Sequence, residues 1–181
     1  TSYYKKDWGF SATDIVRKSI IKNYSKNDKF DVVIDTSFKK KGCLQYGEYF
    51  IKGKTSKEII ISTYICHPSM ANNELSGPIV SMSLIDYFSK SPKPNKSLRF
   101  VFIPETIGSL AFLNKNLKKL KKNFLAGFNL TCIGDERMYS CMLSKYRDSI
   151  SDDAIIKAYK KLNLKFKKYS FLKRASDERQ Y

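Results

Sequence analysis

The chain has 181 residues, 42% hydrophobic and 14% aromatic, the balance of a globular protein that can bury a core and not of a disordered one. Its formal net charge is +17, carried mainly by lysines in local runs at 39–41, 118–122 and 165–168. No zinc-finger spacing, helix-turn-helix pair or aromatic RNA-binding motif accompanies that charge, so it reads as solvated lysine faces and no nucleic-acid partner is expected.

No apolar run approaches the roughly 18 residues of a membrane-spanning helix, and no secretory leader is expected. Cys43, Cys66, Cys132 and Cys141 are dispersed without CxxC spacing. Cys66 and Cys132 fall inside apolar strand patterns, where a free thiol acts as a small hydrophobe. A reducing, cytoplasmic setting is expected. The opening TSYYKK and the ending DERQY read as internal points of a longer protein.

Residues 1–56 read as a small β-rich accessory segment. YYKKDWGF carries Trp8, a core-packing candidate, and 14–24 has aliphatic spacing for a short helix. FDVVID and CLQYGEYFIKG read as two strands joined by the Lys-Lys-Lys-Gly turn at 39–42. In the second, Tyr46, Glu48 and Phe50 share one face, and Gly47, Tyr49 and Ile51 the other.

From residue 57 to 181 the rhythm becomes strand–helix–strand, which implies an α/β domain with a mostly parallel sheet and helices on both faces. IIISTYI is a strand buried on both sides, stopped at Cys66-His67-Pro68 because proline can neither join a ladder nor follow a helical residue. Residues 78–88 have helical spacing, 91–97 are turn-rich, and LRFVFI at 98–103 is a second buried strand ended by Pro104. A helix over 107–120 places Leu110, Leu113, Leu117 and Leu120 on one face. Residues 124–134 read as a third strand, 139–143 as an edge strand, 152–162 as a helix and 164–169 as a short strand.

His67, Glu105 and Asp135 each follow the carboxyl end of an expected buried strand, the end at which open α/β sheets bind ligands. A histidine with carboxylates suits a metal ion, most naturally zinc, which lowers the pKa of water while a carboxylate outside the coordination shell takes the proton. Asp135 has an alternative as a turn or cap residue. Ser76 reads as a loop hydrogen-bonder and Gly77 as a point of close helix approach.

As an ordered set, ISTYICHPSMANNELSGP, FVFIPETIGS, FNLTCIGDER and SDERQY resemble a bacterial aminopeptidase-like domain family related to zinc aminopeptidases of the leucyl aminopeptidase type. YYKKDWGF and YGEYFIKG resemble the same family's accessory β-domain. The resemblance implies His67 as the first metal ligand, Asn73 where those enzymes carry a bridging aspartate, and Glu105 as general base. It implies a substrate-side loop at Ser176-Asp177, with Asp177 shaping the pocket. Thr106 and Thr131 stand where ligand carboxylates are expected, so a two-zinc centre is not implied. One zinc, held by His67 with Asn73 or Asp135 and a histidine beyond Tyr181, remains the expectation.

Three functions follow from these residues. The first is a zinc aminopeptidase-like hydrolase that cleaves a peptide or amide substrate with metal-activated water. The second is a non-catalytic binding module on the same fold, and the third an enzyme that modifies N-acyl amino sugars or glycan precursors for surface polysaccharide. An oligomeric state is left open.

Overall fold

A computed structural model describes residues 12–68, 70–171 and 176–177. Trp8 lies outside the described residues. The chain divides into two compact units, Thr1–Gly42 and Cys43–Tyr181.

In the first unit, helix α1 spans Asp14–Asn23. The Thr13 side chain caps it by accepting the Val16 N–H, and Asp14 pairs with Arg17 and Lys18 one turn on. FDVVID forms no strand, so the expected hairpin across residues 39–42 is absent, although Gly42 N–H does turn back to the Lys39 carbonyl at 3.1 Å. β-branched runs become strands only where a ladder partner and a packed face exist, and among the described residues FDVVID has no ladder partner. Among described residues 12–56 the one strand is β1, Gly47–Ile51, and it belongs to the sheet of the second unit.

That sheet is built from β1, β2 (Glu58–Tyr64), β3 (Ser97–Ile103) and β4 (Phe124–Asn129), in the order β1-β3-β2-β4. β2 runs parallel to both β3 and β4, and β1 runs antiparallel to β3. The two most apolar segments of the chain therefore occupy the centre, where both faces are covered. Helix α2 (Ser76–Lys90) sets Leu84, Ile85 and Phe88 against Ile61, Leu98 and Phe100 on one face. Helix α3 (Ile107–Asn123) sets Phe112, Leu113 and Leu120 against Ile60, Val101 and Ile103 on the other. Leu110 and Leu117, expected on that buried stripe, are exposed, because Phe112 takes the inward position and rotates the stripe. Tyr46 packs edge-to-face on Phe112, with ring centroids 5.8 Å apart, from the face that the sequence alternation assigned it.

Below α3 the sheet buries charge. Arg99 and Glu58 are almost wholly enclosed, and Arg99 Nε donates to Glu58 Oε2 at 2.7 Å. Glu48 on β1 pairs with the same guanidinium, which lies 4.7 Å over the Phe50 ring. Beyond β4, β5 (Tyr139–Met142) and β6 (Phe166–Tyr169) form a separate parallel pair around α4 (Ile150–Lys161). Tyr159 of α4 packs on Tyr139 and Phe166, and Ser151 donates support to the main sheet by accepting Gly127 N–H at 3.0 Å. Among the described residues no helix is long and apolar enough to cross a membrane.

Candidate active site

β2 and β3 end level with one another, Tyr64 beside Ile103, and Ile65 N–H extends the ladder by one bond to the Ile103 carbonyl at 3.0 Å. Pro68 and Pro104 follow within a few residues and stop it. Both strands thus release their next side chains at one rim, Cys66 and His67 from β2 and Glu105 from β3. His67 Nε2 lies 3.7 Å from Glu105 Oε2, as the rule of convergent carboxyl ends anticipates.

Each side of the pair is held from behind. Cys66 N–H donates to Glu74 Oε2 at 2.7 Å, the Cys66 thiol points at Glu74 Oε1 at 3.7 Å, and Glu105 N–H donates to Cys66 Sγ at 3.4 Å. Glu74 is buried within a single wide π turn, Ala71–Leu75, that leads into α2. Partial desolvation of the sulfur chiefly pushes the Cys66 thiol above its ordinary value, exposed though the residue is; the Glu105 N–H opposes this, and the charges of Glu74 and Glu105 add to it. Across the rim Ser176 Oγ donates to Glu105 Oε1.

The backbone after Glu105 is strained. Thr106 has φ 62° and ψ −63°, and Ile107 N–H reaches back to the Glu105 carbonyl at 2.7 Å, which makes 105–107 a γ-turn of the rare positive-φ kind. A β-branched residue in that region is costly unless its surroundings dictate it. Asp177 supplies part of that constraint: it is fully buried, and its Oδ1 accepts Thr106 N–H at 2.7 Å.

Ser76 and Gly77 take structural parts. Ser76 Oγ donates to the Asn72 carbonyl at 2.5 Å and accepts Ile133 N–H at 3.0 Å. A Cβ on Gly77 would collide with the Leu130 carbonyl and Thr63 Oγ1, so only glycine lets α2 begin against β4.

Of the expected site residues, the fold joins His67 and Glu105 directly and brings Asp177 to Glu105's neighbour. Asn73 sits on the π turn with its amide donating to Cys132 Sγ at 3.5 Å. Asp135 stands outside this group: Arg137 N–H and its guanidinium bind the carboxylate, the turn role that was its alternative. Those bonds hold the Asp135 carboxyl down at about 2. Cys66 and Cys132 are both exposed rather than enclosed in strands, since β2 stops at Tyr64 and β4 at Asn129, with Cys132 at φ 52°. The sequence reading did not bring Cys66 beside His67 and Glu105; its place between a strand end and His67-Pro68 was the signal.

Cys66, His67 and Glu105 each offer one donor atom, all within 4.8 Å of one another. Ligands about 2.0–2.3 Å from a tetrahedral zinc lie roughly 3.3–3.8 Å apart, so His67 with a neighbouring donor of this group could hold one ion after closing by about 1 Å.

Comparison with known proteins agrees with the fold. A "Putative polysaccharide biosynthesis protein with aminopeptidase-like domain" of Clostridium acetobutylicum is 39% identical over 184 residues, an alignment that covers 100% of this chain and 40% of that protein. The chain thus spans about two-fifths of the length of the curated relative it matches. A crystal structure titled as a putative peptidase, also from Clostridium acetobutylicum, superposes with a TM-score of 0.70 at 39% identity, covering 75% of this chain and 32% of that one. The expected α/β fold is therefore shared with that solved structure. Residues 7–181 match the family described as "Domain of unknown function (DUF4910)", and the chain belongs to that family.

Proposed function

We propose that this chain is the hydrolytic part of an aminopeptidase-like enzyme that cleaves peptide or other amide bonds at the rim of β2 and β3. The observation that carries the reading is the approach of His67 Nε2 to Glu105 Oε2, 3.7 Å apart and contributed by two separate loops. A zinc ion, held by His67 with a neighbouring donor, would polarise the scissile carbonyl and make water acidic enough to attack near neutral pH.

The chain's own residues do the rest. Glu105 Oε2 faces the rim and takes the proton of the attacking water, then returns it to the leaving amine. Ser176, by donating to Oε1, leaves Oε2 as the oxygen available for that transfer. Asp177 acts as a positioning residue, because its bond to Thr106 N–H fixes the turn that aims Glu105. Asp135 is engaged with Arg137, whereas Asn73 uses only its amide nitrogen on Cys132 and keeps its oxygen as a candidate donor beside His67.

The test is turnover of aminoacyl amides and short peptides by purified protein supplied with zinc. Glu105→Gln is expected to lower kcat by about 10²–10⁴-fold with an unchanged circular dichroism spectrum. No turnover by the wild type, or full turnover by Glu105→Gln, defeats the reading.

A second reading draws on the name of the Clostridium relative, which couples an aminopeptidase-like domain to polysaccharide biosynthesis. In it the same residues remove an acyl group from an N-acylated amino sugar, also an amide hydrolysis. N-acyl amino sugars assayed beside the peptides separate the two.

A further inference from the structure

The steps above leave Cys66 without a part, yet its sulfur belongs to the same cluster as His67 and Glu105. We propose that Cys66 Sγ is a ligand, beside His67, for a thiophilic divalent cation of the zinc class. The inference rests on the reading above only for the place of the ion.

Three observations carry it. The sulfur is placed rather than merely exposed: Glu105 N–H points at it from one side at 3.4 Å, and Glu74 Oε1 faces it from the other at 3.7 Å. The second oxygen of that buried Glu74 holds the Cys66 backbone N–H at 2.7 Å, so one carboxylate fixes both the loop and the thiol. Finally, two carboxylates of the surrounding loops, Asp135 and Asp177, are engaged elsewhere. Asp135 is bound by Arg137, Asp177 accepts the Thr106 amide, and Asn73, Thr106 and Thr131 are neutral.

A thiolate gives an imidazole-bound ion an anionic ligand while leaving the Glu105 carboxylate for proton transfer. It also makes the site soft, favouring zinc, cobalt or cadmium over magnesium, manganese or calcium. Binding is a plain exchange: the Cys66 S–H bond breaks, a sulfur–metal bond forms, and one proton leaves to solvent. Glu105 stays across from the ion with its Oε2 free for the proton of water.

Cobalt(II) tests this, because sulfur ligation adds an intense thiolate-to-cobalt absorption in the near ultraviolet that nitrogen and oxygen ligands do not produce. Metal-stripped protein titrated with cobalt is expected to show that band at one ion per chain. Cys66→Ser should abolish it and weaken binding by at least about tenfold, as metal-shell changes do, while Cys132→Ser leaves it intact. Cobalt bound without the band, a band that survives Cys66→Ser, or no cobalt bound overturns the proposal. Should Cys66→Ser fail to fold, zinc must slow iodoacetamide labelling of Cys66 in the wild type at least about tenfold, read by peptide mass spectrometry; absence of protection overturns it equally. Glu105-dependent amide hydrolysis without the band would keep the hydrolase and discard the thiolate. The band without turnover would do the reverse.

Discussion

Asp177 Oδ1 accepts the backbone N–H of Thr106 at 2.7 Å, a bond that spans 71 positions of sequence and ends one residue from Glu105. A buried carboxylate bound to an amide of a strained turn holds that turn in place. Removing it in Asp177→Ala is expected to cost about 1.5–3 kcal/mol, the range for a hydrogen bond to a charged group. If the hydrolase reading holds, kcat falls with KM little changed, since the loss is in aim and not in substrate contact. Urea denaturation with steady-state kinetics checks both parts, and a variant with wild-type stability and kcat removes Asp177 from the positioning role.

Gly77 sets a different constraint. A Cβ there would meet the Leu130 carbonyl and Thr63 Oγ1, neither of which can swing away as a long side chain can. Thr63 Oγ1 also donates to that same carbonyl at 3.0 Å, so the clash pries apart a bond between β2 and the end of β4. Gly77→Ala is expected to destabilise by about 3 kcal/mol, the upper part of the range for overpacking. A melting temperature within a degree of wild type would contradict the close approach.

How far the sequence foretold this molecule depends on whether local pattern or distant partner decides each piece. β2 and β3 were legible because apolar β-branched runs cut off by Pro68 and Pro104 carry their own boundaries. That legibility extended to His67 and Glu105, since parallel neighbours must open at one rim. β1 was legible as a strand with the right faces, but its attachment to β3 was not, because antiparallel pairing between residues 47–51 and 98–102 leaves no local trace. Cys66 and Cys132 were misassigned for the converse reason: the apolar pattern runs on past Ile65 and Leu130, whose N–H groups make the last ladder bonds, to Ile103 and Ser62. Neither the γ-turn at Thr106 nor the grip of Glu74 on Cys66 has a sequence signature, as both arise from contacts the fold imposes.

The charges hidden in the strands lead to a further expectation. Burial alone would lower the Arg99 pKa, but Glu58 and Glu48 outweigh it and hold the guanidinium above its ordinary value. Glu58→Gln leaves that cation under α3 with Glu48 as its remaining anionic partner. The cost should approach the roughly 3–5 kcal/mol seen when one member of a buried pair is removed. Glu58→Leu combined with Arg99→Met should be milder than Glu58→Gln, since an apolar pair of similar volume needs no compensation. Chemical denaturation of both variants decides it; a double variant less stable than the single one would show that the network is worth more than its desolvation.

Asp152 governs acid stability at the start of α4. Burial pushes its carboxyl upward, but four hydrogen bonds outweigh that: Ser144 N–H at 2.7 Å, Ser144 Oγ at 2.6 Å, Ser149 N–H at 3.1 Å and Ser149 Oγ at 2.8 Å. The group therefore titrates in the folded chain below its ordinary 3.8. A depressed carboxyl pKa means the unfolded chain binds the proton first, so the stabilisation is complete above 3.8 and disappears as pH falls through the folded value. Asp152→Asn keeps the shape of the cap but not the charge that its four donors address, and should cost about 1–2 kcal/mol at pH 7. At about pH 3, below the ordinary 3.8, the unfolded wild-type chain takes up the proton that the folded carboxyl resists, so the difference between the two proteins should shrink. Urea unfolding at the two pH values measures this. An equal gap at both would mean that the capping box works by geometry alone, with no contribution from the carboxylate's charge.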